Sequence, residues 1–276
     1  MQTLEIPTLF TAAQVTLTLG FLLYASWSDY KTREVSNRVW AIFAPIALAL
    51  TLAELLLYNP QNLTWFGISF GVTAGFALLL FYAGGFGGAD SKAFMCIALA
   101  LPFFPETLIQ PLFQDGVSPL AQNIFPFTIL SNSILVAAAT VIGILLLNAK
   151  WRVTTGKKLF GGTLATESIG KKILVLVTGY KMPIAKLKEK WHIYPLEDVE
   201  EGADGELLKR KLVVVPRDEG RDEIVKRLSK AADAGKIDSQ VLATPGLPML
   251  IFVTVGLVLA LVFGDIIWIL MRFLLG

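Results

Sequence analysis

One cysteine, Cys96, and one histidine, His192, are all that the 276 residues hold of these two types. A single thiol excludes a disulfide framework and a Cys-rich zinc site, and a single imidazole excludes a cluster of His ligands. Because His192 lies in the charged part of the chain, a Ser-His-Asp triad in the apolar part is excluded as well. Charge is also scarce, with 24 Lys/Arg and 22 Asp/Glu making up 17% of the residues against about 25% in soluble proteins. The net charge of +2 and the lack of a long run of like charges speak against a nucleic-acid partner. Nothing in the composition calls for a metal or other cofactor.

What is abundant is apolar. The hydrophobic fraction is 54% without counting 23 glycines, and the mean hydropathy is +0.63. Charge is strongly localised: residues 150–243 carry 19 basic and 14 acidic residues, and all the rest of the chain carries 13 charges. Composition thus divides the molecule into a membrane part and one charged insert.

An α-helix needs about 20 apolar residues to cross a bilayer. Six stretches qualify, near 8–28, 39–58, 64–84, 92–110, 128–149 and 247–268. The first has no preceding Lys or Arg and no small-residue cleavage site, so it reads as a mature helix and not a signal peptide. Asn59-Pro60, the glycines at 84–88 and the prolines between 102 and 126 mark breaks. Lys/Arg-rich loops remain cytoplasmic, and six spans put 23 of the 24 basic residues on one side, leaving Arg272 on the other. The expected architecture is an all-α polytopic bundle of six transmembrane helices with a small α+β cytoplasmic domain inserted between helices 5 and 6. Residues 1–149 form spans one to five, 150–243 the cytoplasmic domain and 244–276 the last span, with both termini extracytoplasmic. Within the insert, Ile173–Thr178, His192–Pro195 and Leu212–Val215 read as short strands. Residues 222–233 read as an amphipathic helix closed by Gly235.

A carboxylate in a span is costly and asks for a reason. Glu54, Glu106 and Asp265 fall toward outer span ends, where headgroups and water would solvate them. Asp29 ends the first span and Asp90 opens the fourth, so residues 61 positions apart reach the same membrane face. Two carboxylates in a confined site share a proton, and one can then activate a water while the other protonates a peptide carbonyl. The same positions also suit plain helix-end roles: Asp90 as an N-cap, Asp29 paired with Lys31 or Arg33. Gly84, Gly85, Gly87 and Gly88 before Asp90 permit close backbone approach, for a substrate strand or for helix packing. Lys92 favours an ionised neighbour or reaches lipid headgroups.

The run Gly87-Gly88-Ala89-Asp90-Ser91-Lys92 resembles the Gly-x-Gly-Asp signature of the type IV prepilin peptidases and the archaeal preflagellin (archaellin) peptidases, with Ala89 in place of the usual glycine. Ser28-Asp29-Tyr30-Lys31-Thr32-Arg33-Glu34-Val35-Ser36-Asn37 resembles the same family's first catalytic segment, an Asp followed by a basic residue, an aliphatic residue and Asn. Thr244-Pro245-Gly246-Leu247-Pro248, at the opening of the last span, and Gly179-Tyr180-Lys181 resemble the archaeal branch. The resemblance implies a peptidase without the Cys-rich zinc region or the second, methyltransferase activity of bacterial relatives. It implies Asp29 and Asp90 as catalytic residues, framed by Gly87, Gly88, Ala89 and Lys92. The implied substrates are preflagellin/prepilin-like precursors with class III-type signal peptides, cut at the cytoplasmic face between a short basic leader and a hydrophobic helix.

The acidic run Glu197, Asp198, Glu200 and Glu201 suits a solvated loop or a site that reads the basic leader. Lys171, Lys172 and Lys181 read as positive-inside residues or headgroup contacts, His192 beside Trp191 as structural, and Cys96 as a small hydrophobe. An ion- or proton-coupled transporter with a regulatory cytoplasmic domain is the alternative, although its carboxylates would be expected near the bilayer midplane. A membrane scaffold with Asp29 and Asp90 as mere caps is a third reading.

Overall fold

The structure, a computed structural model, describes residues 6–113, 116–200, 209–214, 220–246 and 248–275. Along the chain come α1 (Ile6–Thr32), α2 (Asn37–Tyr58), α3 (Leu63–Tyr82), α4 (Gly88–Ala100), α5 (Pro119–Asn123), α6 (Phe125–Thr155), α7 (Ile169–Thr178), β1 (Tyr180–Pro183), α8 (Ile184–Glu189), β2 (Ile193–Pro195), β3 (Glu197–Glu200), β4 (Lys209–Leu212), α9 (Arg221–Asp233), β5 (Gln240–Pro245), α10 (Met249–Phe263) and α11 (Ile266–Leu275). They form two compact units, one of residues 1–137 with 248–276, the other of residues 138–247.

The first unit is a helix bundle. Among the described residues, α1, α2, α3 with the turn before it, and α6 are long and apolar enough to cross a membrane, and the pair α10–α11 makes a fifth candidate. Leu23, Leu56, Leu57, Leu79 and Leu146 stand exposed on them, as side chains facing lipid would. Where six helices of span length were expected, the fourth, at 92–110, is a helix of only 13 residues, about 20 Å at 1.5 Å per residue. Leu101 closes it, since Pro102 and Pro105 cannot continue a helix. Its apolar residues serve protein packing: Ala93, Phe94, Cys96, Ile97, Ala98 and Ala100 are buried, and it packs against α1, α2, α3 and α10. A helix of this length is shorter than an ordinary span, and its neighbours shield it on several sides. The last expected span, 247–268, is broken as well: Gly264, at φ +87°, ends α10, and α11 leaves at a bend of 53°.

Polar contacts fasten α1 to α10. Ser26 Oγ donates to Leu250 O at 2.8 Å and lies 2.7 Å from Thr254 Oγ1. On the other side of α10 a Cβ at Gly256 would lie 2.7 Å from Ile129 O of α6, so glycine is what lets these two backbones touch.

The second unit is α+β. β5 is the centre of a three-stranded antiparallel sheet in the order β1-β5-β2, and β3 pairs with β4. Helix α9 packs Val225, Leu228 and Ala231 into its core, and Gly235, at φ +68°, follows it, as the sequence suggested. Residues 173–178, expected as a strand, are instead helical in α7. Ser168 caps that helix by accepting from Lys171 N, and a short apolar run does not by itself distinguish strand from helix. The strand expected at Leu212–Val215 lies earlier: β4 ends at Leu212, and Val215 is outside the described residues. Thr244 and Pro245, read as part of a helix entry, close β5 opposite Tyr194 and Ile193. Leu247 is outside the described residues, and Pro248 is the N-cap of α10.

Candidate active site

Asp29 lies in the last turn of α1, which is closed by Arg33 N donating to Asp29 O at 2.9 Å. Arg33 has a φ of +58°, a left-handed conformation that costs a non-glycine residue of order 1 kcal/mol or more. Side chains pin this turn: Ser28 Oγ donates to Glu34 O at 2.7 Å, and Thr32 Oγ1 donates to Ser28 O and Glu34 O. The Asp29 carboxylate accepts the Leu250 backbone N–H and faces the Arg33 guanidinium. Leu250 is in the first turn of α10, so the helix dipole there adds positive potential at the carboxylate.

Asp90 is in the first turn of α4. It is not the N-cap. Gly87 holds that position, and Asp90 Oδ2 accepts the Gly87 N–H at 3.0 Å. A Cβ at Gly87 would stand 3.0 Å from that oxygen, and any side chain there would press on the carboxylate. Gly84 makes the turn out of α3 at φ +76°. Gly88 and Ala89 are half-buried in the first turn of α4. Ser91 Oγ donates to Ala77 O at 3.1 Å, fixing α4 against α3.

Asp29 and Asp90 are each half-buried, and their carboxylates lie close enough to interact electrostatically. Between their two segments, Lys92 Nζ donates to Asn37 Oδ1 at 2.7 Å. The bundle therefore brings together Asp29, Asp90, Gly87, Gly88, Ala89 and Lys92 where α1 ends and α2, α4 and α10 begin. Sequence reasoning did not find the Leu250 amide or the Lys92–Asn37 bond. The Asn37 position was visible within the motif, but no spacing reveals its partner. A separate cavity of about 490 Å³, lined by Gln14, Thr51, Glu54 and Glu106, contains neither aspartate.

Asp265, Glu54, Glu197 and Asp198 have structural partners. Asp265, expected to be solvated, is buried. It accepts from Ser118 Oγ at 2.7 Å and from Trp268 N at 3.1 Å, capping α11 at the bend. Glu54 is half-buried and accepts from Gln14 Nε2 at 2.8 Å, whereas Glu106 is exposed. Glu197 and Asp198 are on a strand, not in a solvated loop. Glu197 is fully buried between Lys181, at 2.6 Å, and Arg210, and also accepts Leu242 N. Asp198 accepts from Arg227 Nε and Nη2. Glu200 is exposed, and Glu201 lies outside the described residues. Lys181 is thus a buried ion-pair partner and not a headgroup contact; burial pulls its ammonium below the ordinary lysine range, against the opposing pull of Glu197. His192 packs edge-on against Trp191, and its carbonyl accepts Gly246 N. Cys96 is buried.

Residues 16–147 match the type IV leader peptidase family, and residues 171–266 match the type II C-terminus of the archaeal A24 peptidases. No curated protein matches the chain. The fold and these matches define a membrane peptidase. The chain belongs to the archaeal branch of the type IV leader peptidases, the prepilin/preflagellin peptidase family. Its substrates are accordingly precursor proteins.

Proposed function

We propose that the chain is an aspartic-type endopeptidase that removes the short basic leader from preflagellin/prepilin-like precursors bearing class III-type signal peptides, with Asp29 and Asp90 as its catalytic pair. The observation that carries this reading is the convergence of two half-buried carboxylates from α1 and α4 at one end of the bundle. One carboxylate takes a proton from a water as the water oxygen attacks the scissile carbonyl carbon, and the other protonates the carbonyl oxygen. Collapse of the resulting diol breaks the C–N bond: the departing amine takes the proton held by the first carboxyl, and a diol hydroxyl returns its proton to the second. Gly87 keeps space open beside Asp90, and Lys92 braces the segment that follows Asp29.

The positive-inside distribution supports a cytoplasmic site, with residues 150–243 on the same side, both termini outside and the short α4 as the sixth crossing. No observation favours the transporter alternative. The test uses purified protein in detergent with a synthetic filament-subunit precursor and mass spectrometry of the products. Asp29→Asn and Asp90→Asn should each abolish cleavage while the protein stays folded; substantial activity in either variant would exclude the pair.

A further inference from the structure

We propose that α7 is a membrane-surface helix that lies in the headgroup layer beside α6 and holds the second unit on an anionic leaflet. Its depth follows from Asn148 of α6, whose Nδ2 donates to Leu176 O at 3.3 Å and to Gly179 O at 2.8 Å. Asn148 stands where Leu145-Leu146-Leu147 gives way to Lys150-Trp151-Arg152. Such a change from apolar to basic and aromatic residues marks the exit of a helix from hydrocarbon. The C-terminal end of α7 is therefore bonded to a residue at the membrane surface.

The two faces of α7 differ in the way this position requires. Val175 is fully buried in a cluster with Leu164, Leu196, Leu212 and Leu242. On the other side Ile169, Ile173 and Leu174 are 74%, 54% and 49% exposed. Positions i, i+4 and i+5 place these three side chains on one helical face, the pattern of a helix buried a few ångströms into the headgroup–acyl boundary.

Charge selects the leaflet. Residues 148–172 contain Lys150, Arg152, Lys157, Lys158, Lys171 and Lys172 against a single acid, Glu167. Lys157 is paired with Asp238, both exposed, Lys171 is paired with the half-buried Glu167, and Lys172 donates to Ala165 O. Lys150, Arg152 and Lys158 are exposed and have no ion pair among the described residues. Each basic residue held near an anionic surface adds to binding.

The test uses the full chain on a Cys96→Ala background with a spin label at Ile173→Cys, or at Asp233→Cys as an exposed control on α9, in phosphatidylcholine vesicles with and without phosphatidylglycerol. With the anionic lipid, the label at 173 should collide freely with oxygen and several-fold less than the control with a water-soluble nickel chelate. Nickel collisions equal to the control would put α7 in water, and low collisions with both reagents would put it against protein; either result overturns the proposal. Equal burial in both kinds of vesicle would overturn its anionic part. The label reports position whether or not the chain cleaves a precursor, so the outcome is independent of the peptidase reading.

Discussion

Lys92 donates its ammonium to the side-chain oxygen of Asn37 at 2.7 Å, across 55 positions of sequence. Asn37 is the first residue of α2, five residues after the end of α1, and Lys92 is two residues beyond Asp90. One bond thereby ties the segment that follows the first aspartate to the helix that carries the second.

Lys92→Met should therefore slow cleavage by on the order of 10-fold to 100-fold, since small misplacement of reacting groups has effects of that size. Asn37→Asp keeps an acceptor for the ammonium and should retain most of the rate. Initial rates on one precursor decide it, and wild-type turnover by Lys92→Met would remove the positioning role.

Glu197 and Glu200 lie on the same strand with opposite surroundings. Glu197→Ala leaves Lys181 and Arg210 with an uncompensated charge and Leu242 N without its acceptor, a loss of about 3–5 kcal/mol. Glu200→Ala removes an exposed pair with Lys211 and should cost no more than about 1 kcal/mol. Denaturant unfolding in detergent, followed by circular dichroism, would separate the two; similar losses would contradict the buried network.

Gly256→Ala places a methyl group 2.7 Å from Ile129 O and 2.8 Å from Ser133 N. Neither backbone atom can move without shifting α6, so a loss of about 1–3 kcal/mol is expected. A lowered thermal midpoint with reduced cleavage would agree. An unchanged midpoint would show that the helices are not in this contact.

Glu167 and Asp238 have carboxyl groups held below the ordinary range, chiefly by hydrogen bonds from Lys171 and Lys157. A carboxylate whose folded value is depressed contributes stability that is complete above its unfolded value and is lost as pH falls through the folded one. The second unit should therefore weaken on acidification below about pH 5. The contribution is modest because Asp238 and both lysine partners are exposed. Lys171→Met and Lys157→Met should flatten this acid limb in thermal melts between neutral and acid pH, and an unaltered limb would assign it to other groups.

Much of this arrangement was legible because its determinants are local. Apolar runs of about 20 residues disclosed α1, α2, α3 and α6, and the amphipathic pattern at 222–233 disclosed α9. The aspartates stood out because carboxylates are rare near apolar runs. What escaped depends on tertiary contact. The apolar stretch at 92–110 looks like a span, yet Pro102 ends its helix early and the apolar residues of α4 face protein on several sides. Residues 173–178 suit strand or helix until Ser168 caps one of them. Glu197, Asp198 and Lys181 looked like surface charges because nothing local announces that Glu197 will meet Lys181 and Arg210, or Asp198 Arg227. The Leu250 amide at Asp29 was invisible for the same reason.

That amide comes from residue 250, and the neighbouring bonds of Ser26 reach Leu250 and Thr254. A nascent chain that has inserted α1 through α6 and completed the second unit still lacks the donor that orients its first aspartate. Assembly of the Asp29 environment thus waits until α10 has been synthesised. Products cut short before α10 would carry Asp29 without that donor, so the order of synthesis leaves this carboxylate environment unfinished until α10 docks on α1.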